Sequence, residues 1–402
     1  MADKKITEFT GYTPPIDTDV FPVVDVTLDI TKKITWASFK AAMKAFILGE
    51  NDVMASGISR QAFINGNFDV WQRGTSFTPI DGTSVFFADR WFEYVGRDGG
   101  TLPTLTRTKQ TLTAGDIDKS FYYSRLAFNG AGTSLGSGSQ HVIEQRVENG
   151  VSKLCGNGKT VTLSFWARSD VANKKMEVSG RQFYGTGGSP STADAFTGAT
   201  VITLTSSWTK YTVVFTTVTL VGKTFGTAGD ENLEIDLRVM WGSAIRSPAE
   251  TYVGAGYIDI AQLQLCAGSV ALPFQPKSFV EELKDCERYY QKSFPYNTTP
   301  AQAVGSYLGA VGYGVTNAGA AVYHSVWVNF PTRMRAIPAI TFYNPISANA
   351  KWYNRNDGAD SADGSTIFNE VYENGVGLQN GQVATDDVGN VCEIHYAVSA
   401  EL

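Results

Sequence analysis

The sequence predicts a mainly β protein: an antiparallel jelly roll or β-sandwich, a smaller C-terminal β-domain, an extended N-terminal arm and two short helices. Three observations carry this. Apolar and polar residues alternate over many short stretches. In LEIDLRVMW, for example, Leu233, Ile235, Leu237, Val239 and Trp241 share one face, and Glu234, Asp236 and Arg238 share the other. The stretches are rich in β-branched and aromatic residues, and 40 Gly in 402 residues supply turns between them. Helical spacing, by contrast, occurs at only two places.

Residues 1–34 read as an extended arm. Pro14, Pro15 and Pro22 exclude helix and central strand, and the segment has little apolar surface of its own. Such an arm is expected to become ordered against a partner. Residues 35–59 follow as a short helix, with Thr35 as a cap for TWASFKAAMKAFIL. Trp36, Phe39, Met43 and Phe46 step by three, four and three, the spacing of a coiled-coil seam. A helix of about 13 residues is marginal alone in water, so it needs a neighbour. Either sister chains or the next domain of the same chain can supply one.

Residues 60–277 read as the large β-domain. VTLSFWARS places Val161, Leu163, Phe165 and Ala167 on one face, with Thr162, Ser164 and Arg168 on the other. YTVVFTTVTL is a further strand. In YIDIAQLQL, Ile258 and Ile260 keep one phase while Leu263 and Leu265 take the other, which predicts a bulge near Ala261. Residues 278–293, SFVEELKDCERYYQKS, read as a connector helix. It opens on a capping box, Ser278 with Glu281, and carries a stripe of Phe279, Leu283, Cys286 and Tyr290. Residues 294–402 return to β. VYHSVWVNF sets Val322, His324, Val326, Val328 and Phe330 against Tyr323, Ser325, Trp327 and Asn329, and Asn354–Ser365 reads as a polar loop.

Composition narrows the function. Formal net charge is −6 and no Lys/Arg block occurs, which argues against nucleic acid as a partner. No stretch approaches the roughly 18 apolar residues of a membrane span, so membrane insertion is not expected. The opening MADKKITEF lacks the apolar run of a secretory signal, which implies synthesis in a cytoplasm. Cys155, Cys266, Cys286 and Cys392 are widely spaced and read as core residues.

Signs of catalysis are missing. Among 39 Asp and Glu none stands out, and Glu144, Glu148, Asp236 and Asp259 lie in strand-like segments where cross-strand pairing explains them. The three His, at 141, 324 and 395, accompany neither GxSxG nor HExxH. His324 falls in phase with an apolar face. DGADSADG has the wrong spacing for a calcium hand and reads as a solvated tip, with an irregular calcium loop as the alternative. No enzyme activity, cofactor or metal is therefore expected.

Off-phase aromatics are more telling. Trp166 lies on the polar side of its strand beside Arg168, and Trp352 and Tyr353 adjoin Asn354 and Arg355. Exposed rings flanked by amide and guanidinium groups suit sugars, because the ring covers the C–H face while polar groups bond hydroxyls. NGNFDVWQRGTSF with ADRW is either a reactive site or a clasp, and the clasp is the better reading. In it the Asn65-Gly66 turn delivers Phe68 and Val70 to the core. Asp69 or Asp89 then pairs with Arg73 or Arg90, and Trp71 and Trp91 cover the charges.

INGNFDVWQRGTSF and ADRW resemble the opening of the carbohydrate-binding-module-like jelly rolls of bacteriophage tail fibres and related virion fibres. The likeness continues through VTLSFWARSD, GRQFYGTGGSPS, SSWTKYTVVFT and YIDIAQLQLCAGSVALPFQPKSFVEELKDCERYYQKSF, and so covers most of 60–293. Residues 2–43 look like the N-terminal anchor of such fibres, and VWVNFPTRMRAIPAITFYNP is similar to their terminal domains. The resemblance implies a trimeric virion fibre, joined to other virion proteins through 1–34 and contacting host-surface glycan. A structural fibre or adaptor without a glycan site is the alternative.

Overall fold

The computed structural model describes residues 20–25, 30–39, 57–316, 324–380 and 388–402, without the side chains of 20–34 and 362–369. Met43, Phe46, Val322, Tyr323 and the first 19 residues of the expected arm lie outside the described residues. The chain divides into two compact units, Met1–Arg60 and Gln61–Leu402.

In the first unit part of the arm is a hairpin rather than a single extended run. Val20–Asp25 pairs antiparallel with Ile30–Thr35. Pro22 is tolerated because both strands of a two-stranded sheet are edges. Thr35 then caps a helical turn, its Oγ1 accepting the Ser38 N–H at 3.1 Å. Trp36 and Phe39 stack on one helix face with ring centroids 5.4 Å apart.

The second unit is built on a sandwich of two antiparallel sheets. In one, the spatial order is Asp194–Ala195, Lys175–Phe183, Asn232–Trp241, Gln140–Glu148, Phe92–Gly96 and Thr83–Phe86, with Thr200–Thr203 also on Lys175–Phe183. This is the seven-stranded sheet. The six-stranded sheet runs Thr209–Thr216, Thr160–Ser169, Ala255–Ala267, Tyr122–Asn129, Leu105–Thr111 and Ser76–Phe77. The alternation read from sequence sets the core: Leu233, Ile235, Leu237 and Val239 from one sheet and Val161, Leu163, Phe165 and Ala167 from the other are fully buried. The register slips between Ala261 and Gln264, where Gln262 takes a left-handed φ of 49°. That bulge lets Ile258, Ile260, Leu263 and Leu265 all be buried despite their opposite phases.

A charged group crosses this core. Arg107 of the six-stranded sheet donates from Nε (3.1 Å) and Nη2 (2.6 Å) to one oxygen of Glu93 in the other sheet. His141 Nε2 meets the same oxygen at 2.9 Å, and its Nδ1 meets the Tyr252 hydroxyl. All four side chains are fully buried. Burial alone would raise the Glu93 carboxyl, but Arg107 and His141 outweigh it and hold the pKa at about 2. Burial lowers His141, so the neutral imidazole donates from Nε2 to Glu93 and accepts from Tyr252.

The connector is shorter than its sequence suggests. The helix spans Phe279–Glu287 with the expected Ser278–Glu281 capping box, and Tyr290 instead opens the strand Tyr290–Lys292. Its buried side is Glu282 and Cys286, while Phe279 is exposed and meets Tyr296 edge-on. The Glu282 carboxylate explains the rotated face, because it accepts the Asn65 backbone N–H.

The remaining strands form an eight-stranded sheet in the order Tyr290–Lys292, Val391–Ser399, Lys351–Asn354, Ala359–Tyr372, Gly375–Asn380 and His324–Asn329. Val311–Gly314 and Ala339–Tyr343 also pair with Val391–Ser399. His324 is buried and stacks on Tyr313 with centroids 5.0 Å apart. The polar loop expected over Asn354–Ser365 is instead a tight turn at 355–358, after which Ala359 begins a strand. Amides occupy its acids: Asp357 accepts from Asn354 and Asn390, and Asp360 from Asn344 and Asn349. All four cysteines are buried, and none forms a disulfide.

Candidate functional site

The Asn65–Trp91 region folds as a clasp, with partners the sequence did not reveal. Asn65, at a left-handed φ of 56°, donates from Nδ2 to the carbonyls of Val70 (2.8 Å) and Asp89 (3.0 Å) and accepts the Val70 N–H at 2.9 Å. Gly66 is required beside it, since a Cβ there would stand 2.1 Å from the Leu263 carbonyl oxygen. Phe68 and Val70 are fully buried as expected. Asp89 pairs with Arg73 at 3.3 Å and accepts the Gln72 N–H at 2.7 Å.

Arg90 pairs with neither Asp. Its partner is Glu401, which also holds Arg73 at 2.9 Å. The expected cover also differs: Tyr290 lies under Arg73 and Tyr289 under Arg90, at 3.7 and 3.6 Å, whereas Trp91 packs on Phe63 and Phe68. Trp71 donates its ring N–H to the Phe68 carbonyl. The clasp thus joins the sandwich to the strands that follow it. Burial raises Asp89 to about 6 despite Arg73. Both tryptophans are buried, Asp89, Arg73 and Arg90 are ion-paired, and Asp69 accepts from the Asn67 side chain at 3.3 Å.

The stretch Trp352–Arg355 corrects an expectation. Trp352, Tyr353 and Asn354 are buried, and only Arg355 is exposed. The strand Lys351–Asn354 is central in its sheet and covered on both faces, by Tyr313 against Trp352 and Tyr307 against Tyr353. Its Trp–Tyr pair therefore fills two packing layers instead of presenting a ring to solvent.

Trp166 and Arg168 lie on the outer face of the six-stranded sheet, within a larger constellation. Asp259 stands opposite both Arg168 and Arg125 in the strand register. Arg125 donates to it from Nε and Nη2 at 2.7 and 2.8 Å, and Arg168 from Nε at 2.9 Å. The carboxylate is fully buried beneath the two half-buried guanidiniums. Arg125 lies 3.8 Å over Tyr257, and Arg168 lies 4.5 Å over Trp208. Tyr123 meets Trp208 edge-on at 5.2 Å. Trp166 is half-buried against Leu112, Ile117, Tyr123 and Ala261, and its ring N–H reaches Gln262 at 3.1 Å.

The result is a platform of rings with two guanidiniums locked in place by one buried acid. Such donors are organised before any ligand arrives, which lowers the entropy lost on binding. Sequence reading missed Arg125, Trp208 and Tyr257, whereas Asp259 was expected only to pair across strands, as it does. The polar phase of YIDIAQLQL was visible, but strand pairing alone brings Asp259 to Arg168.

The outer face of the seven-stranded sheet is a second charged surface. Glu234, Asp236 and Arg238 point outward as alternation requires, yet Glu234 and Asp236 are buried rather than solvated. Asp236 stands directly opposite Glu144, so like charges meet across the ladder. Arg146 bridges Glu144 (2.7 Å) and Glu234 (3.2 Å), and Arg181 also pairs with Glu234. Arg238 pairs with Glu177 and lies 3.5 Å from Asp236, and Arg246 reaches Glu177 at 2.9 Å. Burial, then Asp236 and Glu234, push Glu144 up to about 7, and burial raises Asp236 as well.

No family model matches the chain, and no curated protein matches it. Solved structures to which the chain is similar include carbohydrate-binding modules. The family 11 module from Clostridium thermocellum, in complex with a β-1,3-1,4-mixed-linked tetrasaccharide, is 13% identical. It is matched over 48% of this chain and 96% of its own, with a TM-score of 0.26. The CBM22-2 xylan-binding domain of Paenibacillus barcinonensis is 13% identical over 53% of this chain and all of its own, with a TM-score of 0.27. The N-terminal cellulose-binding domain of Cellulomonas fimi β-1,4-glucanase C is 16% identical over 41% and 90%, with a TM-score of 0.26. Among the described residues, no helix is long and apolar enough to cross a membrane.

Proposed function

We propose that this chain is a virion fibre protein that binds host-surface glycan without transforming it, through the outer face of the six-stranded sheet. One observation carries the reading: a buried carboxylate, Asp259, fixes Arg125 and Arg168 among Tyr123, Trp166, Trp208 and Tyr257. A guanidinium has five N–H donors, of which Arg168 directs Nε to Asp259 and another to the Tyr123 hydroxyl. Sugar hydroxyls are suitable acceptors for the rest, with the rings covering C–H faces. The fibre assignment rests on the resemblance of residues 2–43 and 60–293 to virion fibres. Trp36 and Phe39, stacked on one helix face, suit self-association as a trimer. Light scattering of the full chain checks that part, and a monomeric mass removes it.

Replication over three chains would raise weak single-site affinity through avidity. A glycan array probed with the full chain tests the site. Binding that is lost in Arg168→Ala and in Trp208→Ala supports it, whereas binding equal to wild type in both variants sinks it. The second reading, a structural fibre or adaptor, is favoured by the way Trp166 is spent on Gln262 and a small apolar cluster. An array with no retained glycan would select that reading.

A further inference from the structure

The edge of the eight-stranded sheet carries an aromatic surface unlike the rest of the C-terminal region. Trp327 is 44% exposed and Tyr372 is 47% exposed, while Val326, Val328 and Val371 on the opposite face pack into the core. Strand register arranges the outer residues as a grid. Trp327 and Glu370 flank Gly377, and Asn329 and Tyr372 flank Gly375. The two glycines leave a trough in the middle strand, and the indole lies across it. A Cβ at Gly377 would meet Trp327 Cε3 at 3.5 Å, and one at Gly375 would stand 2.8 Å from Cζ2. The ring N–H donates to Asn329 Oδ1 at 2.8 Å, which fixes the ring against rotation. Tyr372 stands beside it, its centroid 6.2 Å away and tilted by 46°.

We infer that Trp327 and Tyr372, with Asn329 and Glu370, form a second carbohydrate site, one that takes a neutral polysaccharide. One indole face rests on backbone, which leaves the other free for the C–H face of a pyranose. Glu370 and Ser325 are exposed on the same face and offer hydroxyl partners. This rim is what separates the surface from a protein-docking patch: two rings bordered by hydroxyl, amide and carboxylate groups give polar contacts around an apolar centre of two side chains. The site is independent of Asp259 and its arginines and stands or falls without them.

Affinity electrophoresis of the full chain, in native gels containing soluble β-glucan, galactomannan or dextran, tests it. Retardation is expected in at least one gel, weakened about tenfold by Trp327→Ala and reduced by Tyr372→Ala, in keeping with the stacking energy of one ring. Gly377→Ala, whose Cβ makes an ordinary contact, retains binding. Because Trp327 is exposed, its variant melts with wild-type protein, and Tyr372→Ala serves as the independent check. Trp208→Ala leaves this retardation intact, which separates the site from the one on the sandwich. No retardation in any gel, wild-type retardation in both ring variants, or loss in Trp208→Ala alone would overturn the assignment.

Discussion

Together, strands Phe92–Gly96 and Gln140–Glu148 set one buried acid on each face of their sheet, and the two behave oppositely. Inside the sandwich, Glu93 meets a fixed cation, Arg107, and a neutral imidazole, His141. Outside, Glu144 faces another acid, Asp236, with Glu234 nearby and Arg146 as its direct counter-ion. Both glutamates are buried, and burial pushes both carboxyls up. Glu93 nevertheless ends at about 2, because Arg107 and His141 outweigh burial. Glu144 ends at about 7, because Asp236 and Glu234 add to it. Each glutamate has a cation as its nearest charge, so the balance decides: Arg107 and His141 together exceed burial at Glu93, whereas at Glu144 the two acids add to burial and Arg146 alone does not offset them.

The largest effect expected from this contrast follows removal of the inner cation. Arg107→Met leaves a buried carboxylate uncompensated and should cost about 3–5 kcal/mol in denaturant unfolding at pH 7. A loss below about 1 kcal/mol, on the same scale, would mean that the inner network is incidental to stability.

Next in size is a difference in pH response. Glu144 has a raised folded pKa, so its contribution to stability falls as pH rises from the unfolded value of 4.5 to about 7. The inner pair has the opposite sign. Glu93 stabilises above 4.5 and loses that as pH falls toward about 2, and the depressed His141 loses stability as pH falls below 6.5. Glu144→Gln should therefore gain about 2 kcal/mol relative to wild type between pH 5 and pH 8. Parallel pH profiles for the two proteins would show that the outer acids do not interact as their register implies.

The smallest effect belongs to the exposed pair Arg97–Asp81, 2.7 Å apart at the surface. Asp81→Asn is expected to leave the melting midpoint within scan reproducibility, since screened surface pairs contribute little. A clear downward shift would place this pair with the buried networks.

Alternation made much of the fold legible. It placed Leu233 to Val239 and Val161 to Ala167 inward, and the phase break in YIDIAQLQL located the bulge. The Ser278–Glu281 box marked a helix start, because capping is a local matter of one side chain and one backbone N–H. The helix end was less visible: Tyr290 continued the helical spacing but was drawn into a strand with Ser399. At the candidate site, Trp166 and Arg168 were recognisable as off-phase residues and Asp259 as a cross-strand partner, whereas Trp208 and Arg125 were not. Trp352 and Tyr353 looked like an exposed pair and proved to be core on both sides of a central strand.

The sequence by itself determined which residues share a face, because side-chain direction in a strand repeats every two residues whatever lies nearby. Tertiary structure alone decided what each face meets. Pairing set Asp236 against Glu144 and Asp259 against two arginines, and the packing of two sheets brought Arg107 to Glu93. Those contacts join residues distant in the chain, and pattern within a strand holds no record of its neighbour.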